Sequence, residues 1–120
     1  MRILAIDYGK KKCGIAISDK NNKIAIPYGI IKSENLFKEL KKIIEEKDIK
    51  KIVLGLPLSL SGREIELTKE VYEIKRKIES MFKIEVILID ERMTSKLYKG
   101  EDVDDLSAMA LLEDYLKMCL

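Results

Sequence analysis

Arg2-Ile3-Leu4-Ala5-Ile6-Asp7-Tyr8-Gly9-Lys10-Lys11-Lys12-Cys13-Gly14-Ile15-Ala16-Ile17-Ser18-Asp19 is the stretch on which the fold turns. Residues 2–7 form an apolar run that ends on a carboxylate, the pattern of a buried strand. Residues 13–19 form a second such run, and the polar Tyr8 to Lys12 segment between them reads as a turn. Two short apolar runs joined in this way predict a hairpin. Lys20-Asn21-Asn22 is a further turn signal, so residues 23–31 follow as a third strand and the chain opens as an antiparallel meander.

Beyond the meander the apolar period lengthens. Ser33 is placed as a helix N-cap, and Leu36, Phe37, Leu40, Ile43 and Ile44 recur at helical spacing over 34–47. Lys51 to Leu56 predicts a fourth strand and Pro57 to Gly62 a loop. Leu67, Val71, Ile74, Ile78 and Met81 step by four and three, which predicts a helix over 63–82. Residues 84–90 predict a fifth strand and residues 103–118 a last helix. The order is βββαβαβα: an α/β fold with a five-stranded mixed sheet, three antiparallel strands and then two parallel to the first, flanked by helices. With 120 residues and no internal repeat or linker, a single domain spanning 1–120 is expected.

Composition narrows the chemistry. Hydrophobic residues make up 47% and charged residues 37%, enough to bury a core. There is no histidine, which excludes Ser/His/Asp triads, histidine acid–base catalysis and histidine-ligated zinc. Cys13 and Cys119 are expected as free thiols in a reducing compartment. The N-terminal apolar run is too short for a signal peptide, and no stretch approaches the ~18 apolar residues of a membrane span, so a cytoplasmic protein with no membrane partner is expected. The net charge of +2 is uneven: residues 1–60 carry 13 Lys/Arg against 7 Asp/Glu, and residues 61–120 carry 10 against 14. That asymmetry permits a basic stripe for nucleic acid.

Three acids converge on one end of the predicted sheet. Asp7 ends the first strand and Glu91 follows the fifth, which runs parallel to it. Ligand sites in such sheets lie at the carboxyl ends of parallel strands. Asp104 leads the last helix on the face of Ala108, Leu111 and Tyr115, with Asp105 towards the edge beside Met109 and Leu112. A carboxylate on a core-facing position is costly unless compensated. Hairpin capping by Asp7, pairing of Glu91 with a cation and N-capping by Asp104 are the plainer explanations. A shared divalent cation accounts for all three together, and hard oxygen ligands suit Mg²⁺ or Mn²⁺.

The Asp7 to Asp19 segment resembles the opening motif of the YqgF/RuvX family. Val53-Leu54-Gly55-Leu56-Pro57-Leu58-Ser59-Leu60-Ser61-Gly62 is similar to its Gly-Leu-Pro loop, and Asp90-Glu91-Arg92-Met93-Thr94-Ser95 to its Asp-Glu-Arg motif. Val103-Asp104-Asp105-Leu106-Ser107-Ala108 through Leu116 resembles its closing helix. The motifs occur in the family's order across nearly the whole chain. The resemblance implies a ribonuclease-H-like fold, kinship with Holliday-junction resolvases, and a role in maturing the 5′ end of pre-16S ribosomal RNA. It implies an acidic site at Asp7, Glu91 and Asp104. The segment between Thr94 and Asp104 is shorter here than is usual in the family, which bears on substrate preference and dimer contacts.

The function expected on these grounds is phosphodiester hydrolysis of structured nucleic acid, assisted by one or two Mg²⁺ or Mn²⁺ ions. The partner is pre-rRNA or branched DNA, and the protein a monomer or homodimer. Lys10, Lys11 and Lys12 either hold backbone phosphates or form a solvated hairpin tip. Arg92 either contacts the scissile phosphate or pairs with an acid. Thr94 and Ser59 are further candidate substrate contacts, Ser59 and Ser61 being equally suited to capping their loop. Gly55 and Gly62 are expected to permit that loop's path. Two other readings remain: a nucleic-acid-binding module without cleavage, and an actin-like or sugar-kinase-like phosphate-binding domain, which the length of one domain disfavours.

Overall fold

The computed structural model describes residues 1–92 and 105–119. Strands β1 (Arg2–Asp7), β2 (Lys12–Ser18) and β3 (Ala25–Lys32) form the opening meander. Helix α1 (Leu36–Lys47), strand β4 (Ile49–Leu58), helix α2 (Glu66–Phe82) and strand β5 (Glu85–Arg92) follow, and helix α3 (Asp105–Met118) ends the described chain. The five strands lie in the order β3-β2-β1-β4-β5. β1 and β2, and β2 and β3, pair antiparallel, whereas β4 runs parallel to both β1 and β5. The mixed βββαβαβα sheet read from the sequence is the sheet observed.

Strand alternation divides β1 between two cores. Leu4 and Ile6 join Ile15, Leu40, Ile52, Leu54, Val71 and Ile78 beneath α1 and α2. Ile3 and Ala5 join Ala16, Val53, Ala108, Leu111 and Leu112 beneath α3. The central strands are thus apolar on both faces, as strands covered on both sides must be. Emptying Leu54, fully buried between β1 and β5, to alanine would cost about 2–5 kcal/mol. Among the described residues no helix is long and apolar enough to cross a membrane.

Several local readings change. Ser33 is not the N-cap of α1: Ser33–Asn35 form a short 3₁₀ turn, and Asn35 precedes the helix without a side-chain cap. The Ser33 hydroxyl instead donates to the Gly9 carbonyl, and its backbone N–H donates to the Lys11 carbonyl. Pro57 is not in a loop, because β4 continues to Leu58. The Thr68 hydroxyl donates to the Pro57 carbonyl and accepts from the Ile65 N–H, tying the strand end to the start of α2. Helix α2 begins at Glu66 rather than 63, since Ser59–Gly62 make a tight turn with Gly62 at φ 85°. That left-handed conformation suits glycine. The buried stripe of α3 is also broader than read: Leu112 is fully buried and Leu116 nearly so, alongside Ala108, Leu111 and Tyr115.

Candidate active site

Asp7 is the last residue of β1, and it is 1% exposed. Ile3 and Ala5 face α3, so alternation turns Asp7 to the same side. In β5, Ile87 and Ile89 pack on the α3-side core, which puts Glu91 on that side as well. Both acids stand where parallel strands end, and β4 alone separates their strands.

The residue of β4 between them is Gly55. It pairs with Ile89 in β5 and directly follows Leu54, the partner of Ile6. Val53 faces α3, so a side chain at 55 would do the same. A Cβ built there meets Glu91 Oε2 at 3.2 Å, Glu91 Cδ at 3.4 Å and Leu111 Cδ2 at 3.3 Å. Gly55 is therefore the gap into which the Glu91 carboxylate reaches. The expectation that Gly55 frees the backbone of a loop is corrected: it lies within β4 and has no positive φ, and what it supplies is space. Leu111 roofs this gap from α3.

The turn after Asp7 is pinned from outside. Ser33 holds Gly9 and Lys11 as described, and its Oγ lies 3.3 Å from the buried Cys13 thiol. Burial raises the Cys13 thiol above its ordinary pKa, a shift that its hydrogen bonds with Ser33 and the Gly9 backbone oppose and Asp7 reinforces. Tyr8 points to the opposite face, against the α1–α2 core. Its phenol is raised by burial first, then by Glu70 and Cys13.

The three lysines of the turn do not act alike. Lys10 lies 3.7 Å from Glu66 at the start of α2. Lys12 opens β2 with the parity of Gly14 and Ala16, facing α3 with the two acids. Ser59 Oγ accepts from the Arg63 N–H and shares a hydrogen bond with Ser61 Oγ, both at 3.0 Å, so its hydroxyl serves its own turn. Of Arg92 only the backbone is described, as the end of β5, while Thr94 and Asp104 lie outside the described residues.

The donors present fit a hard divalent cation. They are carboxylate oxygens, one of them almost wholly buried, at a sheet end where Gly55 leaves room. Among the described residues no three His, Cys, Asp or Glu side chains form a metal-binding group, and Asp104, the expected third ligand, is not among them.

Sequence reasoning missed Ser33 as the clasp of the turn after Asp7 and Gly55 as the carboxylate gap. Ser33 gave a local signal, a hydroxyl before an amphipathic run, but that signal points to capping. The role of Gly55 depends on pairing across three strands and has no local signature.

Comparison with known proteins bears on the family and the fold. A protein of Ehrlichia chaffeensis named "Putative pre-16S rRNA nuclease" is 38% identical over 131 residues, covering 96% of this chain and 84% of that protein. One of the same name from Dictyoglomus thermophilum is 46% identical over 98 residues, covering 79% of this chain and 70% of its own. The crystal structure of the fowlpox virus Holliday junction resolvase matches with a TM-score of 0.57 at 14% identity, covering 100% of both chains, a likeness of fold. The fold is ribonuclease-H-like. The model of the RuvX family, described as Holliday junction resolvase, matches residues 1–118, and the chain belongs to that family.

Proposed function

We propose that this protein is a divalent-metal-dependent nuclease that hydrolyses phosphodiester bonds in structured nucleic acid. One observation carries the reading: Asp7 and Glu91 reach the same face of the sheet end around the side-chain gap at Gly55. Membership of a family described as Holliday junction resolvase, and relatives named as pre-16S rRNA nucleases, support the substrate class.

Asp7 and Glu91 would hold the metal, with Asp104 as the third carboxylate. Mg²⁺ or Mn²⁺ bound there supplies a Lewis acid for the phosphoryl oxygens and lowers the pKa of an attacking water. The chain's own contribution is placement. Asp7 is fixed by β1 and by the clasp of Ser33 on the turn that follows it. Glu91 is fixed by β5 and by the width of the gap at Gly55. Asp7, 1% exposed, is kept from bulk water on the side of the sheet that α3 covers. Low dielectric around the acids strengthens their hold on a cation. No histidine or protein nucleophile is required.

The two substrates are separated by a cleavage panel. A four-way DNA junction, a pre-16S rRNA leader and an unrelated single-stranded RNA are each incubated with the protein and Mg²⁺ or Mn²⁺, with ATP hydrolysis followed in parallel. Metal-dependent cleavage of the leader or the junction, without ATP turnover, is expected. ATP turnover with no cleavage of any nucleic acid would replace this reading with the phosphate-binding ATPase.

A further inference from the structure

The register of the meander reaches beyond the acids. Gly14 pairs with Asp7 on one side and with Ile30 on the other, and Lys12 pairs with Lys32. Cys13, Ile15 and Ile31 pack on the α1–α2 core, so alternation turns Lys12, Gly14, Ile30 and Lys32 to the α3 face. Ala16, the next residue of that parity, lies in the α3-side core and agrees. These residues therefore share a face with Asp7 and Glu91. Strand spacing places the Ile30 backbone about 10 Å across the sheet from Asp7. Lys12, one strand over and two residues on, is about 8 Å away.

Two features of this row are unfavourable for a fold and favourable for a ligand. Lys12 and Lys32 are like charges directly opposite each other on paired strands, an arrangement that destabilises a sheet. Both are exposed, and among the described residues neither makes an ion pair, whereas Lys10 of the same turn has Glu66. Ile30, beside them, keeps 48% of its surface exposed. Directly opposite residues hold their Cβ atoms about 5 Å apart, so both ammonium groups can converge on one anion. A phosphodiester next to the scissile one supplies that charge, and an apolar side chain beside it suits the flank of a sugar and base.

Resting on the nuclease reading, we propose that Lys12 and Lys32 clamp the backbone phosphate adjoining the scissile one. Ile30 seats the nucleotide that carries it, so the nucleic-acid strand leaves the acids toward the β3 edge.

The test is equilibrium binding in the Asp7→Asn background, which leaves the probe uncut. The probes are a fluorescein-labelled four-way DNA junction and a labelled single-stranded RNA, each titrated over a range of salt. Lys12→Ala with Lys32→Ala, which frees one phosphate, is expected to lower the slope of log affinity against log salt by about 0.9 on the junction and about 0.7 on the RNA. A loss on one probe alone assigns that nucleic acid as the occupant. Lys38→Ala with Lys41→Ala, on α1 across the sheet, removes equal charge and should change the slope by less than half as much. Ile30→Ser should weaken binding without changing the slope. The clamp variant should melt no lower than its parent, because a repulsive pair has been removed. Equal slopes for the two double variants would overturn the clamp while the nuclease reading stands. Absence of binding to either probe by the Asp7→Asn chain would overturn the nucleic-acid reading itself.

Discussion

Replacing Gly55 with alanine tests the site at its narrowest point. The new Cβ would stand 3.2 Å from Glu91 Oε2 and 3.3 Å from Leu111 Cδ2, against about 3.5–4.0 Å for an optimal carbon contact. The glycine has no positive φ, so alanine suits the strand backbone and recovers about 0.5–1 kcal/mol of chain entropy. Overpacking costs about 1–3 kcal/mol. The balance is a loss of about 1 kcal/mol, a few degrees in melting temperature for a domain of this size. Activity should suffer more. The clash falls on the carboxylate, which must move by a few tenths of an ångström, and misplacement by 1 Å can cost about 10²-fold. We expect single-turnover cleavage at saturating Mg²⁺ to fall about tenfold, with circular dichroism unchanged. Leu111→Ala in the same chain relieves only the contact with the roof and should not restore the rate. Cleavage by Gly55→Ala within twofold of the wild type would refute the claim that this gap positions Glu91.

Ser33→Ala removes the hydroxyl that holds the Gly9 carbonyl and should cost about 1 kcal/mol in denaturant titration, with a matching loss of cleavage; unchanged values for both would release Ser33 from that role. Burial raises the Cys13 thiol above 9.0, so the unfolded chain loses this proton first. Its contribution to stability is present below that pH and is lost as pH rises through the folded value, and Cys13→Ala should flatten the alkaline limb of the stability profile, leaving the part due to the raised Tyr8 phenol. An alkaline limb identical in the two proteins would contradict the assignment. Asp104→Asn should abolish cleavage in a folded protein while Asp105→Asn keeps most activity, measured by single-turnover kinetics with melting curves; the reverse pattern would move the third ligand to Asp105.

Most of this architecture was legible because its signals are local. Period-two apolar runs and polar turns mark β1 to β3, and the change to helical period marks α1 and α2. Asp7 and Glu91 were legible as acids at the ends of runs destined to lie parallel. What escaped depends on contacts between distant segments. The hydroxyl of Ser33 is spent on Gly9, 24 residues away, and the carbonyl of Pro57 on Thr68, which lengthens β4 past its apolar run. The facing of α3 was read from Ala108, Leu111 and Tyr115, yet Leu112 and Leu116 are buried as well because the helix covers β2 and β3 besides β1. Burial alone consequently separates Asp104 from Asp105 less sharply than that reading supposed. Leu111 lines the gap at Gly55 together with Glu91, and Asp104 precedes it by seven positions in the sequence.

On the proposed mechanism Asp7 and Glu91 cut nucleic acid with the help of a bound divalent cation. That mechanism is tested most directly by single-turnover cleavage with Mg²⁺, with Mn²⁺ and with excess chelator, for the wild type, Asp7→Asn and Glu91→Gln. Expected are cleavage by the wild type with either metal, background rates in chelator, and background rates for both variants at every metal concentration with their folds intact. Full cleavage in excess chelator, or by a folded Asp7→Asn chain, would contradict it.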